Sequence, residues 1–382
     1  MRINIKAKSY DLDIIKDLEH LGDIFEEVYL MPDTHRGKQV PVGFVANLNP
    51  NKVIPYLIGV DIGCGISFYP IPKEKISCVN YKNIHNKITT NIPSGRNIHK
   101  EEKYKYNYES LKIPNQDLEY YNKSLGTLGG GNHFIEISEG KEYMYILVHT
   151  GSRRLGKDIC TYYSNILESK KRKTYSEHVR NNIQDIPFKD RQSWIEGCRE
   201  EFNKKISYLE GQDSINYIMD MRLAQQYASL NRKIITKEIL KILDIAYEEN
   251  LYNESIHNYI SDDLIIRKGA TNAHKGERVI IPISMKEGSI LGVGLGNRDW
   301  NFSSPHGAGR VMSRSQAHNT ISLEEYQESM KDTGVTSFSI NKHTIDEAPM
   351  VYRSMEEILE TVHETITVLD ILKPVFNFKG GQ

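Results

Sequence analysis

The stretch Met144–Gly156, MYILVHTGSRRLG, decides the fold class. Its first half is an unbroken apolar run of strand length closed by a glycine turn, which reads as a buried strand. Beyond Gly151 the texture changes. From about Leu155 to Asn250 glycines are few, and SINYIMDMRLAQQYASLNRKIITKEILKILDIAYEEN carries apolar residues three and four apart, the helical period. On the N-terminal side, VYLMPDTHRGKQVPVGFVA and KVIPYLIGVDIGCGISFYPI show short apolar runs between Gly and Pro turns; SIHNYI, DLIIRKGAT and ERVIIPISM resume that pattern after Ser255. The expectation is an α+β protein. Its single core of mixed β-sheets comes from roughly 1–154 and 251–382, with a helical insertion over about 155–250. Near the C-terminus MEEILETVHETITVLDIL, Met355–Leu372, reads as one amphipathic helix.

Composition narrows the function. The 382 residues suit two or three domains or one large one, and 49 Lys and Arg against 50 Asp and Glu leave a net charge of -1. Any polyanion must therefore be met by local patches rather than by global attraction. No apolar run approaches the ~20 residues of a membrane span, and the opening MRINIKAKSYDLDII lacks the apolar stretch of a secretory signal. A cytoplasmic protein is expected. Cys64, Cys78, Cys160 and Cys198 show no close pairing, so each is a buried small hydrophobe or a metal-binding or catalytic thiol. The Tyr-rich stretch around KYKYNYES reads as exposed aromatic surface. The run KKRK, Lys170–Lys173, reads as solvated surface or an RNA contact.

Chemistry concentrates at strand ends inside Gly-rich turns, where catalytic groups collect. In GVDIGCG, Asp61 and Cys64 form either a carboxylate–thiolate metal pair or a buried turn with an inert cysteine. In LGTLGGGNHFIEI, three glycines precede Asn132 and His133, with Glu136 following; the glycines serve a tight turn or a phosphate cradle. HTGSRRLG sets His149 beside Arg153 and Arg154, a ligand next to phosphate-binding groups. His257, in ESIHNYI, taken alone is as well explained by structure. In NFSSPHGAGRVMSR, His306 is either a nucleophile or a packed helix cap. Arg310 and Arg314, four apart, are expected on one face of a helix beginning at this turn. Together a carboxylate, a thiol and three histidines supply ligands for two adjacent metals in an open, catalytic site. The residues point to metal-assisted phosphoryl transfer and stop short of a substrate.

Taken in order, MPDTHRGK, GVDIGCG, LGGGNHF, HTGSRRLG, HNY, HGAGRVMSR, DEAPMVY and the terminal KG run nearly the length of the chain. In these the sequence resembles the RtcB family of GTP-dependent RNA ligases, which join 2',3'-cyclic phosphate or 3'-phosphate RNA ends to 5'-hydroxyl ends. The resemblance implies two Mn2+ ions held by Asp61, Cys64, His133, His149 and His257, with Cys64 bridging; zinc or cobalt would suit the same ligands. It makes His306 the residue that takes GMP from GTP, before GMP passes to the RNA 3'-phosphate and the 5'-hydroxyl displaces it. The guanylate pocket would comprise Asn132, Glu136, Ser284, Ser289, Tyr352 and Lys379 with the turn His306, Gly307, Ala308 and Gly309. Arg153, Arg310 and Arg314 would hold RNA phosphates, and Asp33 and His35 would have a supporting role near the metals.

The resemblance implies RNA as partner, with an activating protein left open, and a divergent bacterial branch serving RNA repair rather than tRNA splicing. One departure bears on the pocket. Where relatives carry a GSMGTAS-like stretch, this chain has ISMKEGS, keeping Ser284 and Ser289 but placing Lys286 and Glu287 where small residues are expected. That change motivates two rivals to ligation. One is a metal-dependent cyclic phosphodiesterase or nucleotidyl hydrolase that has lost guanylylation. The other is a non-catalytic RNA- or ribosome-associated factor, against which the intact Cys64 and His306 argue.

Overall fold

A computed structural model describes residues 1–37, 39–76 and 79–380; Cys78 lies outside them. In chain order the strands are β1 (Arg2–Ile5), β2 (Glu27–His35), β3 (Val42–Asn47), β4 (Gly65–Pro72), β5 (Phe134–Glu139), β6 (Tyr143–Thr150), β7 (Asn253–Ile256) and β8 (Asn258–Ile260). They continue with β9 (Ile265–Lys268), β10 (Ala270–Asn272), β11 (Arg278–Ser284), β12 (Gly288–Gly294), β13 (Ser303–Pro305), β14 (Thr336–Ser337) and β15 (Ile366–Lys379). The helices are α1 (Asp13–Glu19), α2 (Tyr81–Asn91), α3 (Leu118–Ser124), α4 (Arg153–Asn182), α5 (Arg191–Lys204), α6 (Gly211–Ile242), α7 (Arg314–Thr320), α8 (Leu323–Met330) and α9 (Met355–Val362). The mixed α+β class read from the sequence is what forms.

The large sheet runs β11–β12–β15–β5–β6–β4–β7, with β14 beside β15, and a smaller one runs β1–β2–β3–β9–β8. The expected strand MYILV is the middle of β6, paired on one side with β5 and on the other with β4. Being central, it buries both faces, which is why its apolar run does not alternate. Helix α6 lies across both sheets. Its Ile235, Ile239 and Leu240 pack on Ile135, Ile146 and Val148 of the large sheet. Its Tyr217, Met221 and Ala224 join Leu30, Phe44 and Leu155 under the small one. Among the described residues no helix is long and apolar enough to cross a membrane.

Three expectations are corrected. The Met355–Leu372 helix is only half a helix: α9, capped by the Ser354 hydroxyl on the Glu357 amide, ends at Val362, and β15 begins at Ile366. Ile366, Thr367 and Val368 are stiff, branched side chains that favour a strand when an edge is available, and β12 supplies it by antiparallel pairing. Second, the helix after HGAGR starts only at Arg314, where Ser313 and Gln316 form a reciprocal cap, so Arg310 and Arg314 do not share a helix face. Third, the Tyr-rich stretch is not an exposed surface. Tyr108 is buried against Tyr106 and Tyr121 and donates its hydroxyl to Asn122, while Tyr106 packs on Tyr227 of α6. Aromatic rings with satisfied hydroxyls are core material, whatever the polarity of the residues between them. In the KKRK run, Lys170 pairs with Asp213 at 2.9 Å and Lys171 donates to the Asn203 carbonyl, tying α4 to its neighbours.

Candidate metal and nucleotide site

Adjacent strands of the large sheet bring the expected ligands together. Cys64 immediately precedes β4, His133 immediately precedes β5, His149 is the penultimate residue of β6, and His257 separates β7 from β8. The β5–β6–β4–β7 order therefore places all four at one end of the sheet. Backbone geometry admits them narrowly. Gly63 has φ +70 with a Cβ position 2.7 Å from the Gln225 Cα, and a Cβ on Gly151 would stand 2.0 Å from the Asp61 carboxylate. Only glycine lets these turns close around the carboxylate and thiol.

The donor atoms face one another. Cys64 Sγ lies 3.4 Å from His133 Nε2 and 3.3 Å from His149 Nε2; His149 Nε2 lies 3.3 Å from His257 Nε2, and His133 Nε2 lies 3.0 Å from Asp61 Oδ2. The His149 Nδ1 bonds the Asn132 carbonyl at 3.0 Å, which fixes the ring and directs Nε2 inward. Burial holds the His149 and His257 imidazoles well below their ordinary range, hence neutral, and burial together with Asp61 pushes the Cys64 thiol well up. Burial also works to raise the Asp61 carboxyl, but the His133 imidazole beside it prevails and leaves it at about 2. With its Nδ1 engaged, His149 turns a lone pair at Nε2 toward the Cys64 sulfur, so nitrogen and sulfur donors converge on one point that suits a cation. Cys64, His133 and His149, all buried, have ligand atoms within 4.8 Å of one another, a donor set that fits a borderline-soft divalent ion.

Helix α6 supports this cluster through two residues that pattern reading did not single out. Asn231 donates to the Thr127 and Gly151 carbonyls and accepts from the Gly126 and Thr127 amides. Arg232, fully buried, donates to the Gly63 and Thr150 carbonyls, each one residue from a ligand, and its other edge pairs with Glu254 at 2.9 Å. The available signal was polar: Asn and Arg side by side on an otherwise apolar helical stretch.

His306 sits next to the cluster, its ring 4.8 Å from that of His257. Asp33, fully buried, offers one oxygen to three donors: the His306 amide at 3.0 Å, the His306 Nδ1 at 2.6 Å and the Gly307 amide at 3.2 Å. With Nδ1 so engaged, Nε2 is the ring nitrogen left for chemistry. Gly309, at φ +71, is required by the same turn, since a Cβ would stand 2.2 Å from the Asp33 carbonyl. His35, half-buried, has its ring held near 4 by desolvation and leans its Nδ1 on the Asp33 carbonyl. Asp33, expected in a supporting role near the metals, holds His306 through its side chain.

A cavity of about 1480 Å³ opens over His306 and Cys64 and is lined by Asn132, Glu136, Ser289, Tyr352 and Lys379. Burial raises the Glu136 carboxyl to about 7 against the pull of Ser138 and Asn377, which both donate to it. Lys379 pairs with Glu347 at 2.8 Å, and Glu347 also accepts from the Tyr352 hydroxyl at 2.7 Å. Burial would raise Glu347, but Lys379 overrides it and leaves it at about 2. Arg310 is turned into the same group, donating to Glu347, the Tyr352 hydroxyl and the Asp346 carbonyl. Arg314, half-exposed, reaches from Asp346 toward Gly131, where a Cβ would stand 2.9 Å from it. Arg153 is committed inward to Thr127 and the Gly95 carbonyl.

ISMKEGS forms the β11–β12 hairpin. Ser284 and Ser289 line the cavity, whereas Lys286 is exposed and the Glu287 carboxylate accepts from the Met355 amide at the start of α9. The unusual charged pair therefore points out of the pocket. Ser284 Oγ accepts from the Glu287 amide, so the turn also orients that serine.

Fold and site together describe a mixed α+β protein with a buried sulfur- and nitrogen-lined cluster, a candidate metal site, beside a large cleft. The chain belongs to the tRNA-splicing ligase RtcB family, whose model matches residues 15–117 and 99–380. It is 29% identical to RNA-splicing ligase RtcB1 of Escherichia coli ATCC 25922, covering 94% of this chain and 91% of that one. Identity to the Escherichia coli K12 RNA-splicing ligase RtcB is also 29%, with the same coverage. With the tRNA-splicing ligase RtcB of Nanoarchaeum equitans it is 26%, over 95% of this chain and 89% of the other.

Proposed function

We propose that this protein is an RNA ligase that joins 2',3'-cyclic phosphate or 3'-phosphate ends to 5'-hydroxyl ends with GTP as the activating nucleotide. The observation that carries this reading is the Asp33-held His306, its ring 4.8 Å from the metal-ligand imidazole of His257 and open to the cleft. Asp33 fixes the tautomer in which Nε2 attacks the α-phosphate of GTP; the P–O bond to pyrophosphate breaks and GMP is left on His306. The RNA 3'-phosphate then takes GMP from His306, and the 5'-hydroxyl displaces GMP as the new phosphodiester forms.

Cys64, His133 and His149, with Asp61 and His257 beside them, would hold the metal, two Mn2+ ions in this reading. When bound, it would supply charge stabilisation at the reacting phosphates. Glu136 accepts from the guanine N–H groups, and Tyr352, Lys379, Asn132, Ser284 and Ser289 complete the nucleotide pocket. Arg310 and Arg314 are placed at the cleft for RNA phosphates, and Arg153 shapes the turn beside them. RNA is the partner, with an activating protein joining it for turnover, in the cytoplasm. The core from 1–154 and 251–382 carries the site, and the helical part, 155–250, carries its support.

The test is incubation with α-labelled GTP and Mn2+, denaturing electrophoresis and peptide mapping, beside His306→Ala. Label mapping to His306 and absent from the variant is expected. A protein that binds metal and opens cyclic phosphate yet takes no label would be a hydrolase on this scaffold.

A further inference from the structure

Glu136 and Asn377 face each other because β15 is irregular. Pro374 lacks an amide hydrogen for the ladder, and the register against β5 slips by one residue between Pro374 and Phe376. After the slip Asn377 stands opposite Glu136 and Lys379 opposite Phe134, while Phe376 and Phe378 turn into the core. Without the extra residue, Phe376 would stand opposite Glu136.

Asn377 is 1% exposed and donates its Nδ2 to Glu136 Oε2 at 2.8 Å. That bond fixes the amide so that Oδ1 points the other way. Oδ1 is buried, has no hydrogen-bond partner among the described residues, and belongs to a residue lining the cleft. A buried acceptor left unmade costs about 1–3 kcal/mol, so its retention calls for a donor from outside the chain. The Glu136 oxygens each take one donor from the protein, Ser138 and Asn377, and each keeps acceptor capacity. This wall therefore presents three acceptor atoms, two on Glu136 and one on the Asn377 amide bonded to it. An adenine edge sets an acceptor nitrogen beside its amino group and would oppose a carboxylate lone pair. Guanine presents N1–H and both hydrogens of its 2-amino group in a row.

We propose that Asn377 is a specificity-determining residue whose Oδ1 accepts a hydrogen bond from the 2-amino group of guanine, while Glu136 takes N1–H and the other amino hydrogen. The assignment rests on the reading that the nucleotide base enters against Glu136. Inosine triphosphate, which keeps N1–H and lacks the amino group, is the probe that separates the two residues.

The experiment measures His306 labelling rates, with the metal-loaded full chain, from GTP, ITP and ATP in wild type, Asn377→Leu and Asn377→Ser. Wild type is expected to favour GTP over ITP by tenfold or more. Either substitution is expected to lower that ratio by about tenfold, mostly through the GTP rate, with ITP labelling showing that the variant is folded. Equal wild-type rates from GTP and ITP overturn the proposal without any variant. A variant that slows GTP and ITP equally also overturns it, since Asn377 would then act only by positioning Glu136. Wild type that takes no label from GTP, or labels as well from ATP, brings down the underlying reading along with the proposal. Label from GTP with an unchanged ratio removes the proposal alone.

Discussion

Glu136 is placed where its own charge is unwelcome. With its carboxyl raised by burial from 4.5 to about 7, the folded chain holds a proton there that the unfolded chain has lost. Folding stability from this group is therefore intact below about pH 4.5, falls as pH rises through the window to 7, and is lower by about 3 kcal/mol above it. A ligand that donates N–H groups to the carboxylate reverses the preference. Glu136→Gln is thus expected to stabilise the nucleotide-free protein at pH 8, read as a higher urea midpoint, while GTP labelling of His306 is lost. GTP affinity is expected to weaken as pH drops below 7, approaching tenfold per unit, in a binding titration on His306→Ala, which holds GTP without taking label. A flat profile from pH 5.5 to 8 would remove the Glu136 carboxylate from base recognition. Asp33→Ala should cut labelling by about 10–100-fold with metal content unchanged, because it loosens the His306 ring without touching a ligand. Reading residues in isolation could find Glu136 and His306, because one follows a run of three glycines by five residues and the other opens a glycine turn. It could not find the Asp33 pairing, because that bond joins residues 273 positions apart.

At the scale of the element, α6 links the scaffold to the chemistry. Arg232 holds two ligand-bearing turns through their carbonyls and is itself neutralised by Glu254. Removing one partner of a buried pair costs about 3–5 kcal/mol, so Arg232→Met alone confounds stability with site geometry. The double variant Arg232→Met with Glu254→Leu separates them. It is expected to regain most of the urea midpoint while binding metal about 10–100-fold more weakly than wild type, measured as metal per chain after dialysis. Wild-type metal affinity in a well-folded double variant would reduce Arg232 to packing. The strands around the ligands were legible because their apolar runs and glycine turns are local signals. The division of Met355–Leu372 into α9 and β15 was not, because the same residues satisfy a helical period and only the edge of β12 decides between them. The Pro374 irregularity has a local cause but a tertiary consequence, the exchange of Phe376 for Asn377 opposite Glu136.

For the whole molecule, the proposed ligand set would also be a stability device. Asp61 and Cys64 precede β4, His133 precedes β5, His149 lies in β6 and His257 follows β7, so a bound ion would join segments spread over nearly 200 residues of sequence. The unfolded chain cannot assemble these donors, and an ion that binds the native state alone stabilises it by about 2.7 kcal/mol at a concentration 100 times its Kd. Without the ion these donors keep only weak contacts with one another at 3.3 to 3.4 Å, which coordination would replace. Chelation should therefore lower the thermal midpoint by several degrees, and readdition of Mn2+ should restore it in a concentration-dependent way. Cys64→Ser should largely lose that response while keeping the fold, since replacing sulfur by oxygen removes the softest and most central donor and little volume. A thermal midpoint that ignores chelator in wild type, with metal shown by mass spectrometry to have left, would mean that the strand ends are held by the sheet and α6 alone. The cluster would then be a site carried by the fold rather than one that helps to fasten it.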